Sequence, residues 1–195
     1  MRYDSEHKQR THEKVVRQAA AVIREHGPDG IGVAGLMAKA GLTHGGFYAH
    51  FRSKDELIAE AIAHMFDDRY EVFRKCMEGV EPARGLAAYI DGYLTVRHRD
   101  APHRGCPLPS LSGDLARMPA AARKRFEAGT RRITDAIADV LRAMKRPDPE
   151  ALAASVLSEM VGAMALARAV PSNDLSVQIL NAARDSVKAR IGVAG

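Results

Sequence analysis

An all-α fold is what this sequence predicts, and three observations predict it. Apolar residues recur at spacings of three and four, as in Val15, Val16, Ala19, Ala20 and Ile23, or Leu57, Ile58, Ala61, Ile62, Met65 and Phe66. Helix punctuation separates these stripes: Gly27-Pro28, Gly41, Gly79 ahead of Pro82, and Asp148-Pro149. The chain of 195 residues is also long enough to bury a real core in one large or two small domains. About nine helices are expected, in a three-helix N-terminal part and a longer helical body.

The first helix is expected to be capped by Thr11 and ended by Gly27, leaving Met1 to Arg10 as a polar arm that carries Arg2, Lys8 and Arg10. The stretch from Ile31 to Leu57 organises the rest. Val33, Leu36 and Met37 share one face of a short helix that Gly41 terminates in the left-handed conformation. Leu42 is the apolar residue such a turn tucks inward, and Thr43 is placed to cap a second short helix from His44. Phe47 and Phe51, four apart, point inward, whereas His44, Gly45, Tyr48 and His50 point elsewhere. Gly45 and Gly46 each weaken a helix by roughly 1 kcal/mol relative to Ala, a cost that close approach to another surface explains. Ser53 and Glu56 form a capping box that starts the third helix. It holds Lys54 at a helix N-terminus beside Arg52, where a phosphate is the anion that relieves the unfavourable charge.

Short helix, glycine turn, short helix, aromatic lock and capped helix together make a helix-turn-helix. The segment G-L-T-H-G-G-F-Y-A-H-F-R-S-K-D-E-L, Gly41 to Leu57, resembles the signature of the tetracycline-repressor (TetR/AcrR) family of bacterial transcriptional regulators. With its flanking helices the resemblance covers residues 11–60 closely. It implies DNA contacts from Thr43, His44, Gly45, Tyr48, His50, Arg52 and Lys54: phosphates through Lys54, Tyr48 and Arg52, base edges through Thr43, His44 and Gly45. Gly32 stands where many relatives carry a Ser or Thr hydroxyl, so any phosphate anchoring there would be by backbone.

Charge agrees with this reading. The formal net charge is +5, and residues 1–54 hold 9 Lys/Arg against 5 Asp/Glu, so most of the excess lies on the segment with the motif. Five of the eight His are there too. No apolar run follows a basic leader with a cleavage site, and two cysteines suit a reducing compartment, so a cytoplasmic protein is expected.

Beyond the motif, the third helix is expected to reach Cys76 or Met77 and to act as a link (53–77) between a DNA-binding domain, residues 1–52, and a ligand-binding and dimerisation domain, residues 53–195. A helix from Pro82 to Arg99 follows, on which Tyr89 and Tyr93 share one face that suits either a small-molecule cavity or a structural role. The loop from His98 to Pro109 is the strongest break; a helix starting at Pro107 puts Cys106 at an N-terminus near His103 and Arg104, the setting of a reactive thiol or of a small buried residue in a bend. Met118-Pro119 opens a helix whose inner face carries Phe126, Thr130, Ile133, Ile137 and Val140. A small-molecule effector site is placed on Tyr89, Tyr93, Cys106, Phe126, Met160 and Met164.

Asp148 caps a helix that is apolar all round from Ala151 to Val170. Its length suits a membrane span, but Glu159, Arg168 and its many small residues argue against one, and no membrane partner is expected. One face therefore meets its own domain and another a partner. Together with the last helix, about Asp174 to Ile191, it resembles the family's dimer interface, which implies a homodimer through Leu157, Met160, Val161, Ile179, Leu180, Ala183 and Val187. No base, nucleophile and orienting group fall at recognisable spacing, so no catalysis, cofactor or metal is expected. The resemblance implies a homodimeric repressor that binds an inverted-repeat operator on double-stranded DNA and is released by a small-molecule effector; the setting of Cys106 adds thiol modification as a secondary route of release. A transcriptional activator or dual regulator of the same fold is the alternative; a small-molecule-processing enzyme is remote.

Overall fold

In the computed structural model the described residues are 2–28, 30, 32–39, 41 and 43–193, with side chains described from residue 6 onward except that of His44. Among them are nine α-helices, three short 3-10 segments and no strand. The expected inward tuck of Leu42 and the side chain of His44 lie outside the described residues.

The chain divides into two compact units, Met1–Asp67 with Pro102–Ala128, and Asp68–Ala101 with Gly129–Gly195. In the first unit, α1 (Arg2–His26) buries Val15, Val16, Ala19, Ala20 and Ile23 along one stripe, and Gly27 stops it at φ +76°. The helix starts nine residues before Thr11, which is therefore an interior residue and not a cap. No Pro or Gly interrupts the polar segment, and Gln9 donates to Glu13 at 2.9 Å one turn on, the kind of spacing that supports an exposed helix. Helix α2 (Val33–Lys39) buries Leu36 and Met37 and ends at Gly41, φ +75°. A 3-10 turn, His44–Ala49, and the start of α3 (Lys54–Met77) complete the three-helix arrangement.

Residues 102–128 pack in this same unit. They comprise a 3-10 turn at Pro102–Arg104, α6 (Pro107–Leu111), a second 3-10 turn at Leu115–Arg117 and the first part of α7 (Ala120–Ala143). Arg24 ties them to the core: it is 7% exposed and donates to the carbonyls of Met65 at 3.4 Å and His103 at 3.3 Å. Buried guanidinium groups need such acceptors.

The second unit holds α4 (Pro82–Tyr93), α5 (Val96–Arg99), α8 (Pro149–Ala169) and α9 (Asn173–Ile191). The single helix expected from Pro82 to Arg99 is broken at Leu94-Thr95. Leu94 is fully buried in non-helical backbone, and the Thr95 hydroxyl accepts from the His98 N–H at 3.1 Å, capping α5. Helix α4 starts at Pro82 as expected, and Glu81 caps it through the Arg84 N–H at 3.1 Å. Asp148 precedes α8 but does not cap it through its side chain: its backbone is left-handed, φ 46°, and only its carbonyl serves, accepting from Leu152 at 2.9 Å. Helix α8, the one described helix long and apolar enough to cross a membrane, packs mainly on α9. Its charges are used within the unit: Arg168 donates to the carbonyls of His98 and Arg99, and Arg190 of α9 donates to Glu159 at 2.5 Å.

Candidate nucleic-acid interface

The interface is built on a very short element. His44–Ala49 is a 3-10 turn rather than an α-helix, because six residues containing Gly45-Gly46 cannot sustain α geometry and the tighter winding suits short pieces. Thr43 precedes it in extended backbone, φ −79° and ψ 154°, but makes no side-chain cap; its carbonyl accepts from Gly46 at 3.0 Å instead. The exposed Thr43 hydroxyl is therefore not used for capping the turn.

What holds the turn is its aromatic pair. Phe47 and Phe51 are each 1% exposed with centroids 5.5 Å apart, and burying each ring is worth about 2–3 kcal/mol. The Phe51 N–H closes the turn onto the Phe47 carbonyl at 2.9 Å. With both rings inside, Tyr48 and Ala49 face out, Tyr48 at 70% exposure. A Cβ on Gly45 would meet no described atom within 4 Å, so internal packing does not require glycine there. The absence of a side chain instead leaves backbone open to whatever approaches.

Arg52, Ser53 and Lys54 follow. Ser53 Oγ accepts from the Glu56 N–H at 3.1 Å, as the capping box predicts, but Glu56 reaches one residue further back and accepts from the Arg52 N–H at 2.5 Å. Two otherwise orphan donors are thus satisfied, and α3 begins at Lys54. Asp55 and Glu56 in the first turn favour the helix dipole, while exposed Arg52 and half-buried Lys54 supply positive charge beside it. Half-buried Lys54 also lines a small cleft with Val33, Leu36 and Leu57.

His50 behaves differently from the other nominated residues. It is half-buried, its Nδ1 is buried without a hydrogen-bond partner among the described residues, and its ring lies 6.2 Å from that of His12. Burial first, then the charges of His12 and Lys8, hold its imidazole below the ordinary histidine range. Lys8 belongs to the stretch expected to be a free arm; on α1 it is close enough to His50 to act on its titration. His12 was not marked as a site residue by any motif, yet it touches the aromatic lock, stacking on Phe51 at 4.5 Å. Only the pairing of α1 with the turn reveals it.

The residues expected to form an effector site do not fall in one unit. Tyr89, Tyr93, Met160 and Met164 are buried in the second, whereas Cys106 and Phe126 are buried in the first. Tyr89 and Tyr93 join an aromatic cluster: Phe73 meets Tyr89 edge-on at 5.0 Å, His98 meets Tyr93 at 4.6 Å, and the Arg69 guanidinium lies 4.9 and 5.4 Å from the two tyrosine centroids. His98 Nδ1 lies 2.7 Å from the Tyr93 carbonyl, and burial lowers its pKa to about 4. Cys106 does precede α6 at its N-terminus, but is 1% exposed, the small packed residue in a bend rather than an accessible thiol. Phe126 packs edge-on against Phe66 at 5.4 Å.

The residues expected at a dimer interface are also redistributed. Leu157, Met160, Leu180, Ala183 and Val187 are at most 8% exposed and form the contact of their own unit's helices, since the largest apolar side chains gain most from the intramolecular core. Val161 and Ile179 are half-buried. The outward face of α8 is made of smaller residues, Ala151, Ala154, Ser155, Ser158 and Gly162, with Leu166 58% exposed; that of α9 includes Leu175, Ile179 and Ala182.

Residues 15–61 match the family described as bacterial regulatory proteins, tetR family. A TetR transcriptional regulator from Chloroflexus aurantiacus is similar over 100% of this chain and 98% of its own, at 26% identity and a TM-score of 0.82. Escherichia coli NemR in its reduced form is similar over 92% of this chain and 95% of its own, at 18% identity and a TM-score of 0.81. A TetR-family regulator from Agrobacterium tumefaciens is similar over 92% and 98%, at 20% identity and a TM-score of 0.78. No curated protein matches the chain.

Proposed function

We propose that the chain, whose residues 15–61 match the tetR family of bacterial regulatory proteins and whose fold is similar to that of a TetR transcriptional regulator, is a homodimeric repressor that binds an inverted-repeat operator and is released by a small-molecule effector. The observation that carries the DNA-reading part is the turn itself: Phe47 and Phe51 are locked inside, while Tyr48, Gly45 and Thr43 stand exposed next to Arg52 and Lys54. On this reading Tyr48, Arg52 and Lys54 engage phosphates and set register, and Thr43, His44 and Gly45 meet base edges, with His50 at the rim. Residues 1–52 are the reading head and 53–195 the sensing and dimerising body, with α3 as the link.

Dimerisation is proposed through the outward faces of α8 and α9, where Ala154, Ser158 and Gly162 allow close helix approach and Val161, Leu166, Leu175 and Ile179 supply apolar area. Two heads related by a two-fold axis require half-sites about one helical turn apart. An effector held near Tyr89 and Tyr93 acts by stabilising a body geometry that mismatches this spacing, through a coupling of ~1–3 kcal/mol.

The test is selection from random-sequence double-stranded DNA at ~0.15 M salt, followed by sequencing of the retained fraction. An enriched inverted repeat is the expected result. Retention of unpatterned DNA overturns the specific repressor.

A further inference from the structure

We infer that His12, on α1, is a positioning residue for DNA reading: it fixes the reading turn against α3 through a stack on Phe51 and a hydrogen bond to Glu60. The inference rests on the DNA-reading function proposed above, and it concerns a residue outside the turn and the capping segment.

Three observations converge on this side chain. Its ring stacks on that of Phe51 at 4.5 Å with the planes 27° apart. Its Nε2–H donates to Glu60 Oε2 at 2.7 Å, joining residues 48 apart in sequence. Its third neighbour is His50, 6.2 Å away, the residue that ends the reading turn. Glu60 lies on α3 four residues after the capping Glu56. One imidazole thus touches the aromatic lock, the end of the reading turn and the helix that carries Lys54.

The packing makes this a matter of orientation rather than of core stability. The His12 side chain is 25% and that of Glu60 36% exposed, and both line a groove of about 430 Å³ with Gln9, Arg17, His64 and Asp67. A partly wet pair contributes modestly to folding. Its geometric effect is larger, because a turn of six residues has no hydrogen-bond ladder of its own long enough to define its tilt. Phe47 holds the turn from inside, and the Phe51–His12–Glu60 chain holds its far end. Losing that end lets the turn rock while its phosphate-contacting groups remain present, so sequence discrimination is lost before general affinity.

The experiment measures, by fluorescence anisotropy at one salt concentration, binding to the duplex selected by the wild type and to a random duplex of equal length. The ratio of the two dissociation constants reports positioning. His12→Ala is expected to reduce it about tenfold with an unchanged salt slope, since no phosphate contact is removed. His12→Phe keeps the stack and loses the hydrogen bond, and Glu60→Gln weakens the same bond from the other side; both are expected to show one shared loss of about threefold. The bulk-preserving His12→Phe keeps the test valid if His12→Ala does not fold. A full ratio in His12→Phe and Glu60→Gln, or parallel weakening on both duplexes with a reduced salt slope, overturns the role and makes His12 a packing or phosphate-contacting residue. A wild type that selects no sequence overturns the reading beneath it as well.

Discussion

The turn at His44–Ala49 and helix α8 are both short on charge and both were expected to present one face to something outside the chain, yet they reach that result by opposite means. In the turn, six residues spend their two large apolar anchors, Phe47 and the adjoining Phe51, on the inside, and what is left outside is Tyr48, glycine and polar groups. In α8, twenty-one residues spend Leu157, Met160 and Met164 on the inside, and what is left outside is a stripe of alanine, serine and glycine with Leu166. A phenolic hydroxyl beside basic residues suits a polyanion; small apolar residues along a helix suit another helix. The difference teaches that the chain keeps most of its large apolar side chains, Phe47, Phe51, Leu157 and Met160 among them, for itself, and offers outward what has a polar tip or little bulk.

The sharpest way to break that comparison is to charge the inner face. Met160→Asp, at a site with no exposure, is expected to unfold the second unit, costing about 4 kcal/mol or more, and urea denaturation measures it. Dissociation of a dimer into folded monomers by this substitution would move Met160 back to the interface. A second, slightly smaller effect comes from the helix end that Arg168 anchors at the His98 carbonyl. His98 is neutral in the fold with a pKa near 4, below the ordinary 6.5, so the unfolded chain binds its proton first as pH falls. Stability is therefore fully present above pH 6.5 and is lost between 6.5 and about 4, by ~3 kcal/mol. His98→Gln should flatten that part of the stability–pH curve.

Leu166→Glu probes the outer face of the same helix. It is expected to leave the melting curve of the monomer within about 0.5 kcal/mol and to shift the sedimentation coefficient from dimer to monomer at micromolar concentration. Sedimentation of the wild type as a monomer would remove the proposed partner. The smallest effects belong to the turn. Lys54→Ala should reduce the slope of log K against log salt by about one, and Tyr48→Phe should weaken operator and random DNA alike by roughly 1 kcal/mol or less without unfolding. An unchanged slope in Lys54→Ala would take the lysine out of the interface. Cys106→Ser, at a buried site, should leave any oxidant response of DNA binding as it is in the wild type.

Local sequence by itself determined the helical class, the helix stops at Gly27, Gly41 and Gly79 with the left-handed backbone of Gly41, the start of α4 at Pro82, the aromatic lock and the Ser53 cap, because each depends on residues within about one turn of one another. It also marked the segment that falls within residues 15–61, the part that matches the tetR family of bacterial regulatory proteins. The interior place of Thr11 in α1 and the bond of Glu56 to Arg52 rather than Ser53 are equally local, differing from expectation by where a helix starts and how far one side chain reaches. Only the tertiary structure decided that α4 breaks at Leu94 and that Leu157 and Val187 face inward. It alone joined His12 to Phe51 and Glu60. Periodicity says that a face is apolar and is silent on what covers it, since that choice depends on competing contacts between residues far apart in the chain.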